Sequence, residues 1–222
     1  SDMIVIKPDF TVVGKKSIKK FHTKNTIDIQ HAIKASEEDS GNGKVEIEQF
    51  IAGYDCSILA WVNKGKFTRL LDWDEISFFD KNGELKSVGI STPSIANESN
   101  HISNILSISR KIASKFCNVS SLIAFSFRVQ SSGECYLIEM HADFTGDLIL
   151  DILMPNAKGK NFIKLLTNIT ISGEISKKDL KFFDLKDTTP TALIYSNNKN
   201  EEDYKILQDD SIRGLQKKLK LI

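Results

Sequence analysis

Long apolar runs are missing from this sequence. No stretch approaches the ~20 residues that a bilayer-spanning helix needs, and no basic segment followed by an apolar one opens the chain, so neither a membrane partner nor secretion is expected. An excess of either charge is also missing. Thirty basic residues against 29 acidic ones leave a net charge of +1, which gives no electrostatic reason to expect nucleic acid or an anionic membrane. The lysines at 15, 16, 19 and 20 read as a solvated face. Paired cysteines are absent: Cys56, Cys117 and Cys135 are odd in number and lack CxxC spacing, which argues against a zinc site and predicts free thiols in a reducing cytoplasm. The phosphate-binding signatures GxGxxG and GxxxxGK[ST] are absent as well.

What is present is an ordinary globular composition, 41% apolar and 27% charged over 222 residues. That is enough for one large domain or two small lobes with a real core. Met3 to Ile6 reads as a short strand ending at Lys7-Pro8, followed by a polar, lysine-rich loop containing Gly14. Thr26 is placed to cap a helix running to about Ala35, with Ile29 and Ile33 one turn apart. Glu37 to Lys44, charged and glycine-containing, reads as a loop. From Val45 the apolar period changes to two, and the turn signals at Asn63–Lys66 and Asp80–Gly83 break the run into an antiparallel meander. Gly89 to Asn97 reads as a loop. Glu98 to Phe116 reads as a helix, with Ile102, Ile105, Ile112 and Phe116 as its stripe. Leu122 to Val129 and Glu134 to His141 read as two strands, Asp147 to Leu153 and Phe162 to Leu166 as helices, and Ala192 to Tyr195 as a strand. The order is α+β, without the βαβ alternation of a doubly wound sheet.

Three segments carry possible chemistry. In VIKP, Val5 to Pro8, a lysine ends an apolar strand ahead of a glycine loop, a placement that suits an ammonium over polyphosphate; a snorkelling strand-end lysine has the same pattern. In IEQFIAGYD, Ile47 to Asp55, a strand carrying Glu48 ends at Ile51, turns at Gly53 and presents Asp55. Such a strand can read a base with its backbone and hold sugar hydroxyls with the acid, and a solvated sheet edge looks alike. In YLIEMHADFTGD, Tyr136 to Asp147, residues Glu139, His141 and Asp143 share one face if the strand persists to Asp143. Tyr136, Leu137 and Ile138 are apolar on both faces, which predicts a buried strand. A buried carboxylate needs a cation or donors to offset roughly 3 kcal/mol or more, so a divalent cation or a salt-bridged strand end is expected.

Taken in this order and spacing, VIKP, GKKSI (Gly14 to Ile18), EQFIAGYD (Glu48 to Asp55) and the hairpin FSFRV…YLIEMH resemble the ATP-grasp superfamily. Its signature runs from a Lys-Pro strand and a glycine loop to a hinge strand Glu-Glu-Phe-Ile-x-Gly-x-Glu and a late hairpin ending in Glu-x-Asn. The resemblance covers Met3 to about Asp151. It implies an α+β fold of two lobes with antiparallel sheets sandwiching a nucleotide: residues 1–52 as the small nucleotide-binding lobe and 53–222 as the large lobe with a C-terminal extension. It also implies ATP with Mg²⁺ or Mn²⁺. Lys7 would contact the α/β-phosphates, and Gly14, Lys16 and Ser17 belong to the loop over them, with Ser17 standing where a second glycine is usual. Glu48 would accept from the adenine amino group, the backbones of Gln49 and Ile51 would read the base edge, and Asp55 would hold ribose. Glu139, with His141 and Asp143, would serve the metal. Ser126 stands where relatives often carry a magnesium-binding acid, His141 where Asn is expected and Asp143 where Arg is common. Asp143 can restore the charge lost at 126.

The activity implied is an ATP-dependent ligase that activates a small carboxylate as an acyl phosphate for attack by an amine or other nucleophile. The layout resembles the carbamoyl-phosphate-synthase-like and carboxylase-like branches. No side-chain nucleophile is required, and Cys56 and Cys135 read as core. Because few residues precede Lys7, the chain is expected to be a fragment whose partner is the missing N-terminal domain of the same protein. The alternatives are a degenerate nucleotide-binding module without catalysis and an interaction domain with no nucleotide. Gly89–Ser94 reads either as a connector turn or as a segment that shapes the substrate pocket with its hydroxyls and backbone amides.

Overall fold

A computed structural model describes residues 2–10, 17–146, 148–195 and 204–207, the last four by backbone alone. The chain divides into two units, Ser1–Ala52 with Ser77–Ser87, and Gly53–Ile76 with Val88–Ile222. Residues 77–87, which the sequence reading left in the large lobe, thus group with the first unit. Among the described residues no helix is long and apolar enough to cross a membrane.

The first unit is a three-stranded antiparallel sheet in the order β2-β1-β3, formed by β1 (Met3–Pro8), β2 (Lys19–His22) and β3 (Val45–Gln49). Ile6 of β1 is fully buried, and helix α1 (Thr26–Asp39) lies against the sheet with Ala32 and Ser36 buried. Three expectations change here. Asn25 takes the N-cap position, so Thr26 is the first helical residue. The helix continues past Ala35 to Asp39, because Ser36 and Asp39 both bond to Ser17: the Ser36 hydroxyl donates to the Ser17 carbonyl, and Asp39 accepts from the Ser17 hydroxyl. Lys19–His22, read as loop, is a strand. It has no apolar alternation of its own and owes its extension to pairing with β1.

The second unit is built on a seven-stranded sheet in the order β10-β9-β6-β5-β4-β7-β8. Its members are β4 (Tyr54–Asn63), β5 (Lys66–Phe79), β6 (Leu85–Thr92), β7 (Ser120–Val129), β8 (Cys135–His141), β9 (Thr191–Tyr195) and β10 (Tyr204–Leu207). The expected meander is β4–β5–β6, whereas β3 goes to the other sheet. Period two sends Cys56, Ile58, Ala60 and Val62 of β4 to one core, with Ile105 and Ala113 of helix α2 (Ile102–Ala113). Leu59 and Trp61 go to the other core, with Trp73, Leu122 and the segment from Ile149 to helix α3 (Phe162–Ser172). Both faces of the central strands are therefore dry, which suits their Val/Ile/Leu/Phe content.

Gly89–Asn97 is not a loop. Gly89–Thr92 belongs to β6 and pairs with β9, and Ile95–Asn97 is a single 3₁₀ turn. The cause is a pair of buried carboxylates on β5. Asp72, ion-paired to Arg69, accepts from the Ser94 N–H at 2.6 Å. Asp74 accepts from the Ser94 hydroxyl at 2.6 Å and the Ile95 N–H at 2.8 Å. Thr92 donates its hydroxyl to the Asp72 carbonyl. The hydroxyls of Thr92 and Ser94 are thus spent inside the protein, on buried acceptors of β5.

At the start of β4 the backbone of Gly53 has φ +152°, and a Cβ there would come within 2.1 Å of the Val129 carbonyl oxygen on β7. Only glycine satisfies both constraints. Gly53→Ala is expected to destabilise the second unit by about 2–4 kcal/mol, read as a lower midpoint in denaturant unfolding; an unchanged midpoint would show that β4 and β7 can part there without cost.

Candidate functional site

In the first unit the antiparallel register sets Lys7 opposite Glu46 and Val5 opposite Glu48. Glu46 and Glu48 are two apart on β3 and share a face, so both carboxylates converge on one ammonium: Lys7 Nζ lies 2.9 Å from Glu46 and 3.1 Å from Glu48. Burial works against the charge on Lys7, but hydrogen bonds and attraction from Glu46 and Glu48 outweigh it and hold the pKa above the ordinary lysine value. Glu46 escaped the sequence reading, although its i−2 spacing from Glu48 was the available signal. Gln49 ends β3 opposite Ile4 and is exposed, and Ile51 is half-buried in the segment just beyond. The Ser17 hydroxyl is committed to Asp39. Gly14 and Lys16 lie outside the described residues.

In the second unit, three strands lay polar side chains in register. Asp55 of β4 pairs with Arg128 of β7, Nη1 to Oδ1 at 2.9 Å. Ser57 pairs with Ser126, hydroxyl to hydroxyl at 3.0 Å, and Ser126 in turn pairs with Glu139 of β8. One row on, Leu59 meets Ala124 and Ala124 meets His141. Cross-strand partners share a face, so Asp55, Arg128, Ser57, Ser126, Glu139 and His141 form one polar stripe. Arg128 was missed by sequence reasoning; its place two residues after Ser126 in FSFRV was the signal.

Two expectations for the opening motif do not hold. β8 is not buried: it is the outermost strand of its sheet, and Tyr136, Leu137, Ile138 and Met140 remain 37–41% exposed. A strand is buried only if both its edges and both its faces are covered, and among the described residues β8 has a neighbour on one side alone. The strand also stops at His141, so Asp143 is not on the shared face; its carboxylate accepts from the Thr145 N–H at 2.9 Å. Glu139 and His141 do meet, Oε1 to Nε2 at 3.2 Å, both about half exposed. Among the described residues no group of three or more His, Cys, Asp or Glu side chains is arranged to hold a metal ion.

No family model matches the chain, and no curated protein matches it. Solved structures do. The L-amino acid ligase from Bacillus licheniformis superposes with a TM-score of 0.63 at 12% identity, over 99% of this chain and 62% of the other. The biotin carboxylase of Campylobacter jejuni, determined as a β,γ-ATP complex, gives 0.61 at 14% identity over 86% and 41%. The N5-carboxyaminoimidazole synthase from Aspergillus clavatus, determined with ADP and 5-aminoimidazole ribonucleotide, gives 0.60 at 9% over 86% and 44%.

The chain has the ATP-grasp fold. It spans between 41% and 62% of the length of these ATP-grasp structures. The α+β class and the antiparallel sheets expected from the sequence are therefore the observed ones.

The Lys7 pair has a definite pH signature. A lysine whose pKa is raised by folding adds stability that is complete below its unfolded value of 10.5 and is lost as the pH rises through the folded value. Unfolding midpoints measured from pH 9 upward are expected to fall more steeply in the wild type than in Lys7→Met, the difference opening only above about pH 10.5. Parallel curves would mean that Glu46 and Glu48 do not hold the ammonium in solution.

Proposed function

We propose that this chain is the nucleotide-binding part of an ATP-dependent ligase, which activates a small carboxylate as an acyl phosphate for attack by an amine or other nucleophile. The observation that carries the reading is the meeting of Lys7 and Glu48 within 3.1 Å on neighbouring strands of an ATP-grasp fold. A lysine and a carboxylate on adjacent strands of one sheet can serve the phosphates and the base of a single nucleotide. In this reading Lys7 gives its ammonium to the α/β-phosphates, and Glu48 exchanges Lys7 for the adenine amino group. The backbones of Gln49 and Ile51 read the base edge, and Asp55, braced by Arg128, holds the ribose hydroxyls. Gly14, Lys16 and Ser17 belong to the phosphate loop.

The donor set of the polar stripe fits a cation held chiefly by the nucleotide itself. Glu139 is its one carboxylate opposite Ser126, and a half-exposed carboxylate alone makes no closed site. Mg²⁺ suits that arrangement because it keeps several waters and takes one or two protein carboxylates beside phosphate oxygens; His141 would favour Mn²⁺. Bound there, the cation would neutralise charge on the phosphates during transfer. The chain's own contribution is positional: Lys7 on the small sheet and Glu139 on the large one would each supply a charge from a strand, and the ligase chemistry needs no side-chain nucleophile. The carboxylate substrate and an N-terminal partner domain of the same protein belong to this proposal.

A second reading, a module that binds nucleotide without catalysis, is favoured by one observation. The position opposite Glu139 holds a hydroxyl already shared with Ser57, so that row has one acid where two would grip a metal.

Calorimetry and thermal unfolding separate these outcomes. ATP at a hundredfold excess over Kd is expected to stabilise the wild type by about 2.7 kcal/mol, and Lys7→Met to weaken binding about tenfold or more. Omitting Mg²⁺ or Mn²⁺ is expected to weaken it too, and Glu139→Gln to blunt that metal dependence. A Kd indifferent to metal selects the non-catalytic module. The absence of any ATP-induced rise in Tm rejects nucleotide binding altogether.

A further inference from the structure

We propose that the tip of the β5–β6 hairpin, Asp80–Lys86, is a positioning element for the strands that carry the candidate nucleotide residues: it holds β2 and the Phe50 end of the hinge segment as one body. Only the consequence for nucleotide rests on the function proposed above; the contact stands without it.

The three-stranded sheet ends at β2, a strand of four residues with a polar sequence. The hairpin tip supplies its outer edge with main-chain partners. The Lys20 N–H donates to the Gly83 carbonyl at 2.8 Å, the Leu85 N–H donates to the Ile18 carbonyl at 3.0 Å, and Lys19 bridges Glu84. The tip is shaped for this contact. The Asp80 carboxylate accepts from the N–H groups of Asn82 and Glu84, and Gly83 takes φ +75°. A Cβ on Gly83 would come within 2.4 Å of the Lys20 carbonyl oxygen, so any side chain there pushes the tip off β2.

A second contact ties in the hinge. The Lys20 ammonium lies 4.6 Å from the ring centre of Phe50 and 5.0 Å from that of Phe79, and the two rings meet edge to face at 5.8 Å. Phe50 directly follows β3, and its N–H donates to the Met3 carbonyl on β1. One cation therefore joins β2, the segment after β3 and the hairpin. Lys19 and Lys20 pair across to Ile6 and Val5, next to Lys7, so slack in β2 reaches the ammonium that the nucleotide would use. The Lys19–Glu84 pair at 3.3 Å is partly exposed and adds little; the main-chain bonds and the ring–cation contact carry the attachment.

The test uses the full chain, with Lys20→Met, Lys20→Arg and Gly83→Ala compared with wild type by amide hydrogen exchange and by ATP affinity with Mg²⁺. Lys20→Met and Gly83→Ala are expected to speed exchange at residues 18–22 and 83–85 and to raise the Kd about fivefold, while Lys20→Arg, which keeps a cation over the rings, stays near wild type. Unchanged exchange and Kd in both damaging variants overturn the proposal, as does a loss of protection spread equally through the second unit. If wild type binds no ATP, the nucleotide reading fails on its own, and the exchange data still decide the contact: faster exchange confined to these segments supports it, and unchanged exchange rejects it.

Discussion

A lysine ammonium shared by two carboxylates on the neighbouring strand is the interaction on which the candidate site depends. Lys7 is mostly shielded from water, 19% exposed at its side chain, and a charge so placed must have compensating partners. Glu46 and Glu48 provide them at the cost of bringing two like charges to adjacent same-face positions. Each carboxylate tolerates the other because the cation lies between them. The cluster is therefore coupled: drawing the ammonium away would leave Glu46 and Glu48 side by side as like charges with no cation between them.

How far the sequence disclosed this architecture can be argued residue by residue. The central strands were legible because β4 and β7 carry near-continuous apolar runs, as strands buried on both faces do. The pairing of Lys7 with Glu48 was only half legible: each was singled out from its motif, but that Glu46 joins them depends on the antiparallel register of β1 against β3, which no local pattern encodes. β2 was invisible for a related reason. Its extended shape comes from partners on both edges, Ile4–Ile6 on one side and the hairpin tip on the other, and a polar tetrapeptide carries no trace of them. The misreading of Gly89–Asn97 followed from treating Ser, Thr and Pro as loop formers, when Asp72 and Asp74 had already claimed those donors from a strand distant in sequence.

The polar stripe of the large sheet shows how one substitution reshapes its surroundings. A carboxylate at position 126 would stand directly opposite Glu139 and beside Ser57, and without a cation two acids so close would repel. With serine there, the hydroxyl settles on Ser57 and the row is satisfied without any ion. The Asp55–Arg128 pair next to it is likewise closed internally. The stripe can therefore rest without a metal, whereas the Lys7 cluster is charged in either state.

That asymmetry bears on where binding free energy comes from. Glu139 lies on the outermost strand, about half exposed and within reach of His141, where water screens its charge and attraction to a cation falls toward the weak limit of about 1 kcal/mol at contact distance. Lys7 sits in drier surroundings, where the same charge counts for several times more. Tyr136, Leu137, Ile138 and Met140 are partly exposed apolar neighbours of Glu139 along the same strand, so covering β8 would take water from around it. Removing water from them would lower the local dielectric and strengthen whatever Glu139 holds. The residues that point the sequence toward a buried strand are thus the ones whose covering would strengthen any charge contact that Glu139 makes.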